Sequence, residues 1–582
     1  MIKLLTFILL GLLSLNLSAS PAEEQKLATL FDDIWHQTML SNPTYATYVG
    51  YPGQNALWPN PSISASAENA AQRKKFLTNL RSIDTEKLDP DRYLEWMLVE
   101  KSLADEVAGH AYPEHFILLH QRTGVQQDIA DTLSMMPKFN LQDFTDRLAR
   151  LKNAASYIRS TIEVLREGLA KGITPPKITL RDVPEQIRNT IPVDIDKSPL
   201  FSSFNSFPDS ISQAKQEKIK ASARQIIKQQ VYPAFESLLQ FLEDDYIPNA
   251  KMSIALIDMP NGAEWYRHRV KSFTTSNLTP KQIHQLGLSE VKRIRKEMDN
   301  VIAMSGFDGT FEEFTHFLRT DPQFYMTSAD DLMIGYRDIA KRADPELAKL
   351  FGKLPRMPYG VIAIPDYAAK SQTTAYYWGG STKDGRPGYF YANTYALNTR
   401  PTWEMEALTL HEAMPGHHLQ ISLAQELPET HPLLQNLSYT SFVEGWGLYA
   451  ESLGVEMGFY KDPYSKFGQL TYEMWRAVRL VVDTGMHIFE WDRQKAIDYF
   501  VSNTPKSQHD IEVEIDRYIS WPGQALAYKI GELKFKELRA RATKKLGVKF
   551  DLRAFHDQLH VKGALPMDVL DKRMDQWIEA QL

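Results

Sequence analysis

Residues 411–420 read His411-Glu-Ala-Met-Pro-Gly-His-His-Leu-Gln420, and the most informative chemistry of the chain is concentrated there. In the pattern His-Glu-x-x-His, two histidines one helical turn apart bind zinc, and the glutamate beside the first activates a water molecule. Here Pro415 stands where the second histidine would be, so the candidates for that ligand are His417 and His418. The stretch therefore suggests a zinc hydrolase site with an altered spacing.

A regular helix would not bring either later histidine to His411. At about 100° and 1.5 Å per residue, His417 falls on another face, and His418 lies roughly 10.5 Å along the axis. Pro415 cannot donate a helical hydrogen bond and Gly416 tolerates unusual dihedral angles, so we expect a two-residue bulge that makes His417 the ligand. The alternative is a helix that ends at Pro-Gly, with three histidines that are solvated or packed in the core.

A candidate third ligand lies downstream, in Ser441-Phe-Val-Glu444-Gly-Trp-Gly-Leu-Tyr-Ala-Glu451. On a helix Glu444 and Glu451 share one face. Two histidines, one glutamate and a free position for water form a catalytic zinc set. Alternatively, Ser441 and Glu444 form a capping box, and Glu451 is either a surface carboxylate or the acceptor that orients a ligand histidine.

A polar stripe on a later apolar segment supplies candidate substrate-binding groups. Arg476, Arg479, Asp483 and His487 recur at helical spacing, which suggests either an internal cleft or an Arg–Asp–His network that joins helices. In the cleft interpretation, Arg476 or Arg479 binds the C-terminal carboxylate of a peptide. His487 would then stabilise a tetrahedral intermediate.

The composition of the chain excludes several functional classes. The 582 residues are 43% hydrophobic and 24% charged, enough for one large core or two ordinary ones. The formal net charge of −6 is too mild to suggest a nucleic-acid-binding protein. The absence of cysteine excludes disulfides, thiolate zinc sites and cysteine nucleophiles, so histidine, aspartate and glutamate remain as metal ligands.

The hydrophobic pattern predicts a mainly α protein, because apolar residues recur at spacings of three and four over long stretches. We expect helices over 140–169, over 213–242 and after Thr279-Pro280. Between Met357 and Ala396 the period changes to two, which predicts a small antiparallel sheet beside the zinc helix, with strands at 361–364, 375–378 and 389–395. We divide the chain into an N-terminal helical half, 23–250, and a zinc-bearing catalytic half, 251–582.

Residues 1–22 have the pattern of a secretory signal peptide. Lys3 precedes an apolar run from Leu4 to Leu15, and small residues follow up to Ala22. The run is shorter than the roughly 20 residues that span a bilayer, and no cysteine is present for lipid attachment. We expect cleavage after Ala22, no stable membrane span and a periplasmic or secreted protein, with an uncleaved anchor as the alternative.

Over nearly the whole chain after residue 22, the sequence resembles a bacterial family of secreted or lipid-anchored proteins of unknown function that are predicted to be gluzincin-type zinc peptidases. The segments that carry the resemblance are Pro260–Tyr266, His411–Gln420, Phe442–Trp446, Arg476–His487 and Tyr518–Gly531. A more distant similarity, to the thimet-type oligopeptidases, is limited to the zinc helix and the Phe-Val-Glu segment. That similarity implies Glu444 as the third zinc ligand and Tyr528 as a donor to the oxyanion. The alternative for Tyr528 is packing in the core.

The gluzincin resemblance also implies that the strand containing Tyr391 and Asn393 is a sheet edge that pairs with extended substrate, as in β-augmentation. The sequence thus predicts a secreted zinc peptidase of large multi-helical fold. Its predicted metal ligands are His411, His417 and Glu444; its catalytic residues Glu412, Tyr528 and His487; and its substrate-binding residues Arg476, Arg479, Tyr391 and Asn393. The alternatives are a metal-dependent hydrolase of a non-peptide amide or ester, and a catalytically silent periplasmic peptide-binding protein. The sequence does not determine the substrate's length, the end preference or the oligomeric state.

Overall fold

The computed structural model describes residues 20–365, 369, 373–381, 385–428 and 430–582. The predicted signal peptide, 1–22, therefore lies almost entirely outside the described residues. Within the described part, the prediction of a mainly α protein with a small sheet is confirmed. None of the helices in this part combines the length and the apolar character that crossing a membrane requires.

The N-terminal helices follow the predicted amphipathic segments. The predicted 140–169 helix begins after Asn140, whose side chain caps it in a capping box with Asp143. Further on, π-helical turns at 227–231 and 242–246 continue the predicted 213–242 segment. These helices are α1 (Pro21–Ser41), α2 (Pro43–Tyr48), α3 (Ile63–Arg81), α4 (Pro90–Gly109), α5 (Val125–Met135), α6 (Leu141–Ala170), α7 (Val183–Thr190), α8 (Pro199–Ser202), α9 (Gln213–Ile226) and α10 (Tyr232–Phe241).

The remaining helices surround the sheet and the zinc motif. Thr279 caps α12 and Pro280 occupies its first turn, as predicted. These helices are α11 (Gly262–Thr274), α12 (Pro280–Met304), α13 (Phe311–Thr320), α14 (Ala329–Ala343), α15 (Leu347–Leu350), α16 (Met405–Glu412), α17 (His417–Gln425), α18 (Pro432–Gln435), α19 (Thr440–Leu453), α20 (Pro463–Ile488), α21 (Arg493–Val501), α22 (Gln508–Ser520), α23 (Ala527–Leu546), α24 (Leu552–His560) and α25 (Met567–Gln581).

The hydrophobic cores do not follow a simple division into two halves. Apolar side chains between Leu119 and Ala250 form one core of their own. The core around the zinc motif, by contrast, contains Leu94 and Leu98 of α4 together with residues of α14, α16, α19 and α23. α4 therefore packs on the second predicted half, while the domain boundary near residue 250 stays a prediction.

The sheet is mixed, so the prediction of an antiparallel sheet is wrong for one of its two pairings. Its strands are β1 (Tyr359–Ala363), β2 (Ala375–Trp378) and β3 (Gly388–Ala392), in the spatial order β1-β3-β2. β2 runs antiparallel to β3, whereas β1 runs parallel to it. A period of two predicts strands but not their neighbours, and here β3 inserts between the two strands that precede it.

The position of β3 contradicts a second expectation. The segment with Tyr391 and Asn393 was expected to be an edge strand, but β3 is central and its backbone is paired on both sides. An extended peptide cannot add to a strand whose two edges are already occupied. The outer strand on the side of α16 is β2, and no described strand pairs with its other edge.

Candidate metal centre

The zinc motif forms two helices separated by a turn, and not one bulged helix as expected. α16 ends at Glu412 and α17 begins at His417. A Cβ atom on Gly416 would lie 1.9 Å from the carbonyl oxygen of His411, so the turn requires glycine there. The indole Nε1 of Trp446 donates a hydrogen bond of 2.9 Å to the carbonyl of Pro415 and ties the turn to α19. The helix restarts at His417, which brings this residue back to His411.

The structure brings together the three side chains predicted as metal ligands. Possible ligand atoms of His411, His417 and Glu444 all lie within 4.8 Å of one another. Glu444 Oε2 lies 3.8 Å from His411 Nε2 and 3.6 Å from His417 Nε2. A tetrahedral zinc ion with bonds of about 2.0–2.1 Å separates its ligand atoms by about 3.3 Å. The two imidazoles and the carboxylate would therefore bind zinc if they moved slightly closer together.

His418 faces away from this group. Its Nδ1 lies 2.8 Å from the hydroxyl of Tyr377 in β2, and its Nε2 lies 3.1 Å from the carbonyl oxygen of Met357. Both ring nitrogens are therefore engaged in holding α17 against the sheet. Of the two candidates for the second histidine ligand, the geometry selects His417.

Glu451 lies directly behind His411. Its carboxylate is fully buried, and Oε1 lies 2.7 Å from His411 Nδ1, so it orients Nε2 towards Glu444. The capping-box alternative for Glu444 does not apply, because α19 has no side-chain cap and the Ser441 hydroxyl instead contacts Thr275.

The charges of the centre suit metal binding. Burial lowers the pKa of His417 to about 4, so its imidazole is neutral at pH 7. Burial favours the neutral form of Glu444, but the nearby His411, His417 and Arg517 together outweigh it and hold the pKa at about 2. Burial also lowers the pKa of His411, yet the nearby carboxylate of Glu444 and the hydrogen bond to Glu451 raise it to about 10. A bound cation would replace the proton on His411.

The carboxyl group of Glu412 lies beside the three candidate ligands. Burial raises its pKa to about 7, while the positive charges of His411 and Arg476 and the backbone N–H of Tyr377 favour its charged form. A carboxyl group that titrates near neutral pH can both accept and return a proton. Its neighbour Tyr377 belongs to β2, so the outer strand of the sheet lies against this carboxylate.

Arg476 lies at the edge of the centre. Its Nη2 is 3.7 Å from Glu451 Oε1, its guanidinium lies 4.7 Å from the ring centroid of Tyr472, and its buried Nε has no hydrogen-bond partner.

Arg479 and Tyr528 lie beside Arg517 and Glu514, two residues that the sequence did not single out. Arg479 donates from Nε to the Tyr518 hydroxyl at 2.8 Å, and its guanidinium lies 4.3 Å from the Tyr528 ring centroid. The Tyr528 hydroxyl accepts from Arg517 Nη2 at 3.2 Å. Arg517 and its partner Glu514 were missed because alternating charges on an amphipathic helix also occur on ordinary solvated faces.

A close contact between α19 and α23 positions Tyr528 relative to Glu444. A Cβ atom on Gly445 would lie 2.5 Å from the Cα atom of Gly531, so the two helices meet backbone to backbone. Glu444 immediately precedes the first glycine, and Tyr528 lies one helical turn before the second. This crossing brings the Tyr528 end of α23 towards the metal centre.

The role predicted for His487 is contradicted. Its Nδ1 accepts a hydrogen bond from the backbone N–H of Leu256 at 3.3 Å, and its Nε2 donates to the carbonyl of Tyr518 at 3.0 Å. With both nitrogens bound to the main chain, it has no free N–H for an oxyanion. The neighbouring Asp483 accepts from the Tyr266 hydroxyl and the Gly523 N–H, so this end of the stripe is the helix-joining network considered as the alternative.

The side-chain amide of Asn393, which was predicted to bind substrate, is instead hydrogen-bonded to the main chain. Its buried Nδ2 donates to the carbonyls of Ala369 and Thr373 and so holds the segment before β2. Tyr391 stacks on Tyr376 of β2, with ring centroids 4.9 Å apart, and its predicted contact with substrate stays a prediction.

Comparison with known proteins gives a family but no activity. Residues 43–574 match the model of a family described as "Bacterial protein of unknown function (DUF885)". No curated protein is similar enough to the chain to count as a match. The fold is similar to the crystal structure of a "putative lipoprotein" from Colwellia psychrerythraea, with a TM-score of 0.89 and 28% identity over 96% of this chain and 99% of that one.

A second solved structure, of a "putative lipoprotein of unknown function" from Shewanella oneidensis, has a TM-score of 0.68 and 16% identity over 96% of this chain and 100% of that one. This second likeness concerns the fold alone. Because the family model spans most of the sequence, the chain belongs to the DUF885 family of bacterial proteins.

Proposed function

We propose that this protein is a zinc-dependent peptidase. The observation that carries the proposal is the convergence of His411, His417 and Glu444 within 4.8 Å, with the buried carboxyl group of Glu412 beside them. The three residues would hold the metal, with Glu451 fixing the orientation of His411. Zinc bound by such a set supplies an activated water molecule and polarises the carbonyl under attack.

The surrounding side chains have separate tasks in this proposal. Glu412 accepts a proton from the attacking water and delivers it to the leaving amine, for which a pKa near 7 is suitable. Two groups would donate hydrogen bonds to the oxyanion. One is the Tyr528 hydroxyl, which accepts from Arg517, and the other is the Arg476 guanidinium, whose Nε has no hydrogen-bond partner. This set replaces the one predicted from sequence, because His487 has no free donor.

The edge of the sheet supports a peptide as the substrate. β2 has no described strand on its outer side, and the backbone N–H of its Tyr377 faces Glu412. A peptide that adds to this edge as a further strand would run past the catalytic carboxylate in an extended conformation. β2 therefore takes over the role that the sequence analysis expected of the strand with Tyr391.

We further propose that the protein works outside the cytoplasm. The supporting observations are the signal-peptide pattern of residues 1–22 and the name of the Colwellia psychrerythraea neighbour, which describes that protein as a lipoprotein.

The adjacent histidines allow a matched test of the metal site. His417→Gln should lose the zinc that the parent protein holds at about one ion per chain, whereas His418→Gln should keep it. Elemental mass spectrometry on protein purified without chelator or histidine tag measures this difference, with thermal melting as the folding control. A parent protein that takes up no zinc after reconstitution would refute the proposal and favour the silent peptide-binding alternative.

The chemistry is tested by Glu412→Gln and a mixed peptide pool. This variant should keep its zinc and lose cleavage, because the amide cannot accept a proton. Loss of zinc would show that Glu412 has another role. Cleavage of non-peptide amides or esters alone, by a zinc-loaded parent, would favour the alternative hydrolase.

A further inference from the structure

Two buried arginines share one carboxylate in the wall beside the metal centre. Arg479 of α20 donates from Nη2 to Glu514 Oε2 at 3.0 Å, and Arg517 of α22 lies 3.5 Å from Glu514 Oε1 through Nη1. Their side chains are only 4% and 14% exposed, and that of Glu514 is 12% exposed. We call Arg479 and Arg517 the arginine pair.

The arginine pair carries more positive charge than its surroundings compensate. No second carboxylate contacts either guanidinium among the described residues. In addition, Arg479 Nη1 and Arg517 Nε are buried atoms without a hydrogen-bond partner. A buried cation is costly unless it is paired and hydrogen-bonded, so one further anion would satisfy both the charge and the free N–H groups.

The arginine pair is close to the proposed catalytic groups. Arg517 donates to the hydroxyl of Tyr528, which lies one helical turn before the contact of Gly531 with Gly445, the residue after Glu444. A second hydrogen bond, from Arg517 Nη2 to Gln524 Oε1 at 2.8 Å, fixes the guanidinium in this position. An anion held here would therefore belong to a molecule that also reaches the metal centre.

Aromatic rings lie around the guanidinium of Arg479. Its guanidinium lies 5.1 Å from the ring centroid of Trp475, 5.6 Å from that of Tyr518 and 4.3 Å from that of Tyr528. Arg517 is the more exposed member of the pair, so an anion would reach the pair from its side. Rings packed around Arg479 favour the end of a chain over a chain that continues past it.

We propose that the arginine pair binds the C-terminal carboxylate of a peptide, so that the protein cleaves peptides close to their C-terminal end. Paired guanidinium groups provide the forked hydrogen bonds that a carboxylate accepts. This inference rests on the proposed peptidase function. For Arg479 it chooses the cleft interpretation of the sequence, and it adds Arg517 as the second cation. An acidic side chain offers the same chemistry, so the test has to separate the two sources of a carboxylate.

Equilibrium binding tests the inference without turnover. Zinc-loaded Glu412→Gln protein is titrated calorimetrically with one peptide in two forms, with a free C-terminal acid and with a C-terminal amide. The free acid should bind about 10- to 100-fold more tightly, the range expected for hydrogen bonds to a charged group. A second peptide pair with internal Glu or Gln, both with a free C-terminus, should show no such difference.

Substitution of the arginine pair should remove the preference. In the same Glu412→Gln background, Arg517→Gln should bind acid and amide equally, and Arg517→Lys should keep part of the difference. Arg541→Gln is the matched control. Arg541 lies near the far end of α23, where it is ion-paired with Asp571 of α25, so this variant should keep the full preference. Thermal melting confirms that each variant is folded.

The outcomes separate this inference from the proposed function. Equal binding of acid and amide, no binding of the free acid, or a preference that follows the internal Glu would each overturn the C-terminal assignment. If the acid preference depends on Arg517 but the parent protein cleaves neither peptide, the carboxylate site stands and the peptidase function fails. Cleavage of acid and amide at equal rates, with products of internal cuts, would overturn the inference and leave the peptidase function intact.

Discussion

At the scale of single residues, the orientation of His411 depends on a carboxylate that does not reach the proposed metal. Glu451 is fully buried and its Oε1 lies 2.7 Å from His411 Nδ1, with Arg476 3.7 Å away as a partial counter-charge. Carboxylates in this position fix the histidine tautomer and increase its basicity as a ligand. The candidate site therefore includes a residue, Glu451, that lies outside the motif at residues 411–420.

Glu451→Gln should lower the affinity for zinc about 10- to 100-fold and leave the fold intact, because the neutral amide supports His411 less strongly. Competition with a chromophoric chelator measures this change. Glu456→Gln is a suitable control, since that carboxylate pairs with Arg539 away from the centre. Equal affinities of the two variants would contradict the role given to Glu451.

Zinc binding should release about one proton per chain at pH 7.5, because in the metal-free state the pKa of His411 is raised to about 10 and a ligand histidine must be neutral. His417, with a pKa of about 4, and Glu444, with a pKa of about 2, have already lost their protons at this pH. Apparent zinc affinity should accordingly rise with pH up to about 10. Calorimetry in two buffers of different ionisation enthalpy counts the protons, and uptake or no release would contradict the charge state assigned to His411.

At the scale of elements, two breaks in regularity build the centre. The turn at Pro415-Gly416 ends one helix and starts the next, and Trp446 of α19 binds its carbonyl. The second is the absence of side chains at Gly445 and Gly531, where α19 and α23 meet. Proline and glycine mark both places in the sequence, but the partner of each glycine is not visible there.

Gly445→Ala should force α19 and α23 apart, since its Cβ atom would lie 2.5 Å from the Cα atom of Gly531. Overpacking of this kind costs about 1–3 kcal/mol, so we expect a lower melting temperature and weaker peptide cleavage as Tyr528 moves away from Glu444. Gly379→Ala is the matched control, because its Cβ atom would make only ordinary contacts, the nearest at 3.6 Å. Equal stability and activity of the two variants would show that the helix crossing does not constrain the centre.

At the scale of the whole molecule, α1, α3 and α4 share hydrophobic cores with the second predicted half. Leu94 and Leu98 belong to the same hydrophobic core as the helices of the metal centre, and Leu433 and Leu437 pack against α1, α3 and α4. A partly exposed ion pair, Lys101–Asp568 at 2.6 Å, crosses the same boundary. The two predicted halves therefore share apolar surface.

A fragment of residues 251–582 should not fold cooperatively or retain zinc, because it would expose the apolar surface that α1 to α4 cover in the complete chain. Near-ultraviolet circular dichroism, thermal melting and zinc content of the fragment, compared with residues 23–582, measure this. A fragment with a sharp unfolding transition and a full zinc content would establish the boundary near residue 250 as a true domain boundary.

The sequence by itself determined the helical class, an irregularity at Pro415-Gly416 and the residue types available to a metal, because these depend on local periodicity, on backbone chemistry and on composition. That this irregularity is a turn between two helices, and not a bulge, was decided by the structure. The tertiary structure decided which histidine joins His411, that β3 lies inside the sheet, and that His487 and Asn393 are bound to the main chain. These outcomes depend on which elements become neighbours. Side chains at helical spacing share a face, but only the packing of other helices determines whether that face meets a cleft or a carbonyl group.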